Sequence, residues 1–141
     1  MRRLLVLATA ALAVAPAASG STLSPCTLVT AADAGKALGT TVGKGKAQTL
    51  GLYKACTYVK GRKTLTVLVR QIDKATFEKS ARKNPPPVFP IPGIGDEAFS
   101  AGGGSALLVW KKGTEVTFTF IGVSPVVQTQ KDVANAALKR L

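Results

Sequence analysis

Few residues in this 141-residue chain could do chemistry. Two cysteines, Cys26 and Cys56, and seven acids are the main nucleophiles and ligands, and there is no histidine. Without histidine there is no Ser-His or Cys-His dyad and no common metal centre. A pair of facing carboxylates could still cleave a glycosidic bond. Asp96 and Glu97 are the neighbouring acids, but consecutive residues of a strand point to opposite faces. Asp33, Asp73, Glu78, Glu115 and Asp132 are expected mostly at helix starts or exposed positions. Asp96 is expected to hydrogen-bond the turn made by Gly93 and Gly95. Gly93-Ile94-Gly95 lacks the third glycine of a dinucleotide fingerprint. Gly43-Lys44 and Gly45-Lys46 lack the flanking residues of a phosphate loop. The reading is therefore non-enzymatic, with no catalytic residue, metal or cofactor expected. A hydrolase using Asp96 or Glu97 is the enzymatic alternative.

The cysteines belong with the start of the chain. Arg2 and Arg3 precede an apolar run from Leu4 to Val14, and the small residues Ala15-Pro16-Ala17 follow. This is the pattern of a signal peptide, and the run is too short to span a bilayer. Residues 1–20 are read as that peptide and residues 21–141 as one secreted domain. No later apolar run approaches the roughly 20 residues of a transmembrane helix. Both cysteines lie in the exported part, so a Cys26–Cys56 disulfide is expected. The alternative is acylation of Cys26. That needs Gly or Ala directly before the cysteine, and Pro25 stands there, so lipid anchoring is not expected. The expected product is an extracellular monomer at the cell envelope.

Charge is the strongest compositional signal. The chain has 19 basic and 7 acidic residues. Without Arg2 and Arg3 the net charge is +10. A positive surface attracts anions, which outside a bacterial cell means lipid headgroups or anionic wall polymers; an envelope protein is the other expected partner. Nucleic acid is not expected, because there is no aromatic stacking platform. Two basic groups fall at expected hairpin tips: Lys60, Arg62 and Lys63 at one, Lys111 and Lys112 at the other. Tips at the same end of a sheet would form one cluster of five charges.

The elements that must position these residues follow from periodicity. Ala106 to Phe120 reads as a hairpin turning at Gly113. A three-residue loop Lys111-Lys112-Gly113 pairs Trp110 with Thr114 and gathers Ala106, Leu108, Trp110, Val116, Phe118 and Phe120 on one face. A two-residue loop would put Trp110 opposite Glu115 and split that set. The first register is expected, with Trp110 a candidate for an apolar ligand cleft. Tyr53 to Arg70 reads as a second hairpin, its Gly61-Arg62 turn pairing Tyr58 with Leu65 and Cys56 with Val67. Thr30 with Asp33 starts a helix that Gly39 ends. Asp73 starts another, from Lys74 to Lys83, stopped by Pro85-Pro86-Pro87. A last helix begins at Ser124-Pro125 or at Thr129 and covers the Trp110–Phe118 face. The class is α+β: an antiparallel sheet built from two hairpins, packed against N-terminal and C-terminal helices, with one disulfide.

Four pieces carry a resemblance: Pro25-Cys26-x-Leu28-Val29-Thr30, Ala37-Leu38-Gly39, Cys56-x-Tyr58 and Pro92-Gly93-Ile94-Gly95-Asp96-Glu97-Ala98-Phe99. In this order and spacing the chain resembles, from about residue 24 to its end, exported actinobacterial proteins of the domain-of-unknown-function 3558 family, many of them lipoproteins. The resemblance implies a small α+β domain with one disulfide and supplies no catalytic residue. More loosely the chain is similar to extracellular sensor domains of mycobacterial membrane kinases, which have a cleft. It departs from the lipoprotein members in lacking a lipobox. Two functions are expected in order: a secreted binding module of the bacterial cell envelope engaging anionic surfaces, then a small-ligand sensor or carrier with a cleft at Trp110.

Overall fold

The computed structural model describes residues 23–84 and 88–141. The expected signal peptide and the Pro85-Pro86-Pro87 stop lie outside the described residues. In order the elements are α1 (Pro25–Leu28), α2 (Ala31–Leu38), β1 (Lys46–Leu50), β2 (Tyr53–Lys60), β3 (Lys63–Gln71), α3 (Lys74–Arg82), β4 (Phe89–Pro90), β5 (Glu97–Ala101), a 3-10 turn (Gly102–Gly104), β6 (Ala106–Lys111), β7 (Thr114–Ile121) and α4 (Val127–Leu138). The class is α+β. The strands form one antiparallel sheet in the order β1-β2-β3-β7-β6-β5-β4. It is wider than two hairpins: β1 extends it on one side, β5 and β4 on the other. β1 is an outer strand exposed along its whole length, and the opposite outer strand is only Phe89–Pro90.

Local chemistry explains the helix ends. Thr30 caps α2, accepting from the Asp33 N–H while the Asp33 carboxylate accepts from the Thr30 N–H, and Gly39 closes the helix at φ 63°. Asp73 caps α3 by accepting from the Thr76 N–H. At α4 the structure corrects the sequence reading. The helix starts after Val126, whose side chain makes no capping bond, and neither Ser124 nor Thr129 is its cap. Gln130 anchors the first turn instead. Its buried amide donates to the carbonyls of Gly104 (2.8 Å) and Pro125 (3.2 Å).

The β6–β7 register is a second correction. Lys112 and Gly113 form a two-residue turn, both with positive φ (46° and 82°). Lys111 pairs with Thr114, Trp110 with Glu115 and Val109 with Val116. The apolar set is therefore split between faces, and the reason is that helices pack on both faces of β6, α4 on one and α3 on the other. Leu107, Val109, Val116, Phe118 and Phe120 join Cys56, Tyr58, Leu65 and Val67 beneath α1, α2 and α4. Leu108 turns the other way, against Phe77 and Ala81 of α3, with Phe99, Ala106 and Trp110 around it. So α4 covers the Phe118 face, while Trp110 lies under α3. The one-sided sheet assumed for the longer loop does not exist.

The disulfide fixes the first layer. Cys26 of α1 is bonded to Cys56 of β2, with Cα atoms 5.1 Å apart. In β2–β3, Cys56 is opposite Val67 and Tyr58 opposite Leu65. The Tyr58 hydroxyl donates to the Val29 carbonyl just beyond α1. Gly45 packs its backbone on the Cys56 sulfur and the Tyr58 ring, leaving no room for a side chain. The covalent link spans 30 residues, so it restricts the unfolded chain by about 3–4 kcal/mol. Cys56→Ser should lower Tm by roughly 10–20 °C in thermal denaturation. A variant melting within a few degrees of the parent would contradict this role.

Candidate functional site

The two basic hairpin tips lie at opposite ends of the sheet. β3 and β7 pair antiparallel, with Thr64 opposite Ile121 and Gln71 opposite Thr114. The β2–β3 turn thus meets the end of β7, and the β6–β7 turn meets the end of β3. The cluster of five charges from Lys60, Arg62, Lys63, Lys111 and Lys112 is not formed. Two of the five also have structural partners. Lys63 Nζ donates to the Leu38 carbonyl (3.1 Å) and Lys111 Nζ to the Leu138 carbonyl (3.2 Å). Each places a cation at the negative end of a helix, α2 and α4 respectively. At Lys112 the backbone N–H donates to Asp96 Oδ2 (2.9 Å). Asp96 therefore bonds the β6–β7 turn, rather than the Gly93–Gly95 turn expected for it.

The β2–β3 end has a different character. Lys60 pairs with Lys63 around Gly61-Arg62. Lys46 pairs with Thr57, and Lys44 precedes it toward the same end. Lys36 is in the last turn of α2, the end that Lys63 caps. Lys36, Lys44, Lys46, Lys60 and Arg62 are all exposed. No acid occurs from residue 34 to residue 72, a segment with eight basic residues. Lys36, Lys44 and Lys46 lie outside the two hairpin tips, and only this acid-free stretch of sequence points to them. The seven acids instead belong to the helices or to the other end of the sheet: Asp33 in α2, Asp73 and Glu78 at α3, Asp132 in α4, Asp96, Glu97 and Glu115 near the β6–β7 turn. A shallow groove of about 520 Å³ between α2 and the loop after it, bordered by Lys36, Gly39, Thr41 and Val42, opens beside the basic end.

The far end of the other face is occupied by a polar row across the strands. Arg70 is opposite Glu115, Glu115 opposite Trp110, and Trp110 opposite Glu97. Glu115 is 2% exposed, which corrects its expected place at the surface. Its carboxylate receives Arg70 Nε at 2.5 Å and the Thr117 hydroxyl at 3.1 Å. Arg70 also donates to Ser80 of α3 (2.9 Å) and lies 4.6 Å over the Tyr53 ring. Trp110 Nε1 donates to the Ile72 carbonyl (3.0 Å), so the indole braces the connection into α3. Burial and the nearby Glu78 carboxylate push the Glu97 carboxyl above the usual range, and Lys74 opposes them. Asp33 lies below its ordinary value. Burial there raises it, but the bonds from Thr30 and the Arg140 guanidinium outweigh that effect.

No group of three or more His, Cys, Asp or Glu residues that could hold a metal occurs among the described residues. No protein-family model, no curated protein and no solved structure matches this chain.

Two predictions follow from the polar row. Removing one member of a buried pair strands the other, so Glu115→Leu should cost about 3–5 kcal/mol. Arg70→Leu/Glu115→Leu should cost less than Glu115→Leu alone, as read by denaturant unfolding of the two variants. Glu97 has its folded pKa raised, so the native state holds more protons between its ordinary and raised values. Stability contributed by this carboxyl falls as pH rises through that window. Glu97→Gln should therefore raise Tm at pH 7 and lose that advantage near pH 4. An equal Tm change at both pH values would reject this linkage.

Proposed function

We propose that the protein is a secreted, non-enzymatic binding module of the bacterial cell envelope that engages an anionic surface through the β2–β3 end. The observation that carries this reading is the charge separation. Lys44, Lys46, Lys60 and Arg62 stand exposed on an end with no acid in its strands or turns. A one-signed surface concentrates anions around it and speeds their encounter. The signal-peptide pattern at residues 1–20 supports export, as does the disulfide. The resemblance to exported actinobacterial proteins points the same way. The carrier reading with a cleft at Trp110 is weaker, because the indole N–H is already bonded to Ile72 and the ring packs under α3.

The test is binding to an anionic surface as salt is varied. Exposed charges are screened over about 8 Å at physiological salt, against about 30 Å at 0.01 M. Binding should be strong at low salt and fall steeply as salt rises. Lys60→Glu/Arg62→Glu should abolish it with Tm unchanged, since both side chains are exposed and neither makes a bond to a helix among the described residues. Lys63 is unsuitable for this test because it caps α2. Absence of binding at low salt, or binding that survives the double reversal, would reject the proposal.

A further inference from the structure

We infer that the anionic surface is a lipid bilayer, met by the open half of the sheet face that α3 leaves uncovered; this rests on the anion-binding reading above. Phe77 and Ala81 of α3 pack on the β5–β6 half of this face, over Leu108, Ala101 and Phe99. On the other half, α3 reaches Arg70 of β3 through Ser80 and Glu115 of β7 is buried, but toward the β2–β3 turn the residues of β2, β3 and β7 on this face are half-buried or exposed. Near the β2–β3 turn one row runs Val59, Thr64, Ile121 across three strands. The next row runs Lys46, Thr57, Thr66, Thr119 across four. Side chains opposite each other in a ladder share a face, so both rows belong to one platform.

The platform combines two features. Val59 is 56% exposed and Ile121 58% exposed, and they stand two strand spacings, or about 10 Å, apart. Exposed cations border the aliphatic pair: Lys46 lies in the next row of the same face, Arg62 occupies the turn, and Lys60, on the opposite face of β2, stands at the same strand end. Gly122 fixes this border, since its backbone packs so closely on the Arg62 carbonyl that no side chain fits there. A hydrated wall polymer offers phosphates or carboxylates but no apolar phase, and would leave both aliphatic side chains in water. A bilayer interface supplies both. Its headgroups meet Lys and Arg, and its acyl boundary accepts aliphatic side chains at shallow depth. The threonines carry polar groups that bond to headgroups or water while keeping the platform in strand conformation.

The experiment uses the purified protein, vesicles of phosphatidylglycerol mixed with phosphatidylcholine, vesicles of phosphatidylcholine alone, and soluble polyphosphate. Co-sedimentation and titration at low salt compare the parent with Val59→Thr/Ile121→Thr and with Lys60→Glu/Arg62→Glu. Both aliphatic positions are exposed and threonine keeps strand preference, so unchanged Tm identifies a folded variant. The inference predicts binding to the anionic vesicles and not to the neutral ones. It also predicts at least about a tenfold loss of vesicle affinity in Val59→Thr/Ile121→Thr, with polyphosphate affinity unaltered. Full vesicle binding by that variant, or polyphosphate binding without vesicle binding, overturns the bilayer while leaving the anionic-surface reading intact. Binding to neither probe, or binding insensitive to Lys60→Glu/Arg62→Glu, overturns both.

Discussion

The ladder between β3 and β7 is the interaction on which the rest of the molecule depends. Each strand is the second half of a hairpin, and each contributes eight residues to the pairing, from Thr64–Ile121 to Gln71–Thr114. An antiparallel pairing of two second strands must send the hairpin turns in opposite directions. It also brings both hairpins into one sheet too broad for a single helix to cover. From this come the two apolar clusters, the burial of Leu107 and Leu108 on opposite faces, and the separation of the basic turn from the acids. A pairing through β2 or β6 would have placed different residues at every one of these positions.

How much of this was legible in the sequence depends on the range of the interaction. Local signals were readable. Thr30, Asp33 and Gly39 mark the ends of α2 through bonds to their own neighbours. Gly61 alone has positive φ in the β2–β3 turn, and that turn chemistry fixes a register. The Lys112-Gly113 turn was harder, since Lys112 adopts a left-handed conformation that lysine seldom takes. Its register was decided by burial on both faces, and the second layer is supplied by α3, distant in sequence. Arg70 and Glu115 were invisible as partners for the same reason. They lie 45 positions apart, and only the strand order makes them neighbours. The disulfide could be expected from counting cysteines in a chain that begins with a signal-peptide pattern, without knowing any strand order.

The candidate site shows how charge can mislead when it is read residue by residue. Lys63 and Lys111 looked like free surface cations because each sits next to a turn. In the fold each reaches a helix carbonyl at its own end of the sheet. Lys44 and Lys46 entered the reading only as glycine-lysine pairs that do not make a phosphate loop, yet they stand on the exposed end. The informative pattern was where acids are missing, since an unopposed cation attracts a partner and a matched one does not. The absence of acids over residues 34–72 was in plain view. Assigning it to one end of the molecule required the sheet order.

The two outer strands give the sheet a direction of vulnerability. On one side, β4 is two residues long and ends in Pro90, which has no N–H to offer an incoming strand. On the other, β1 presents five exposed residues, and its outer edge, unpaired among the described residues, forms a template for another chain. Lys46 begins that strand, with Lys44 just before it and Lys54 in the strand behind. A second copy adding edge to edge would bring these like charges together. Lysines along an edge weaken pairing of β1 with a second copy, and concentrated salt removes that protection by screening it.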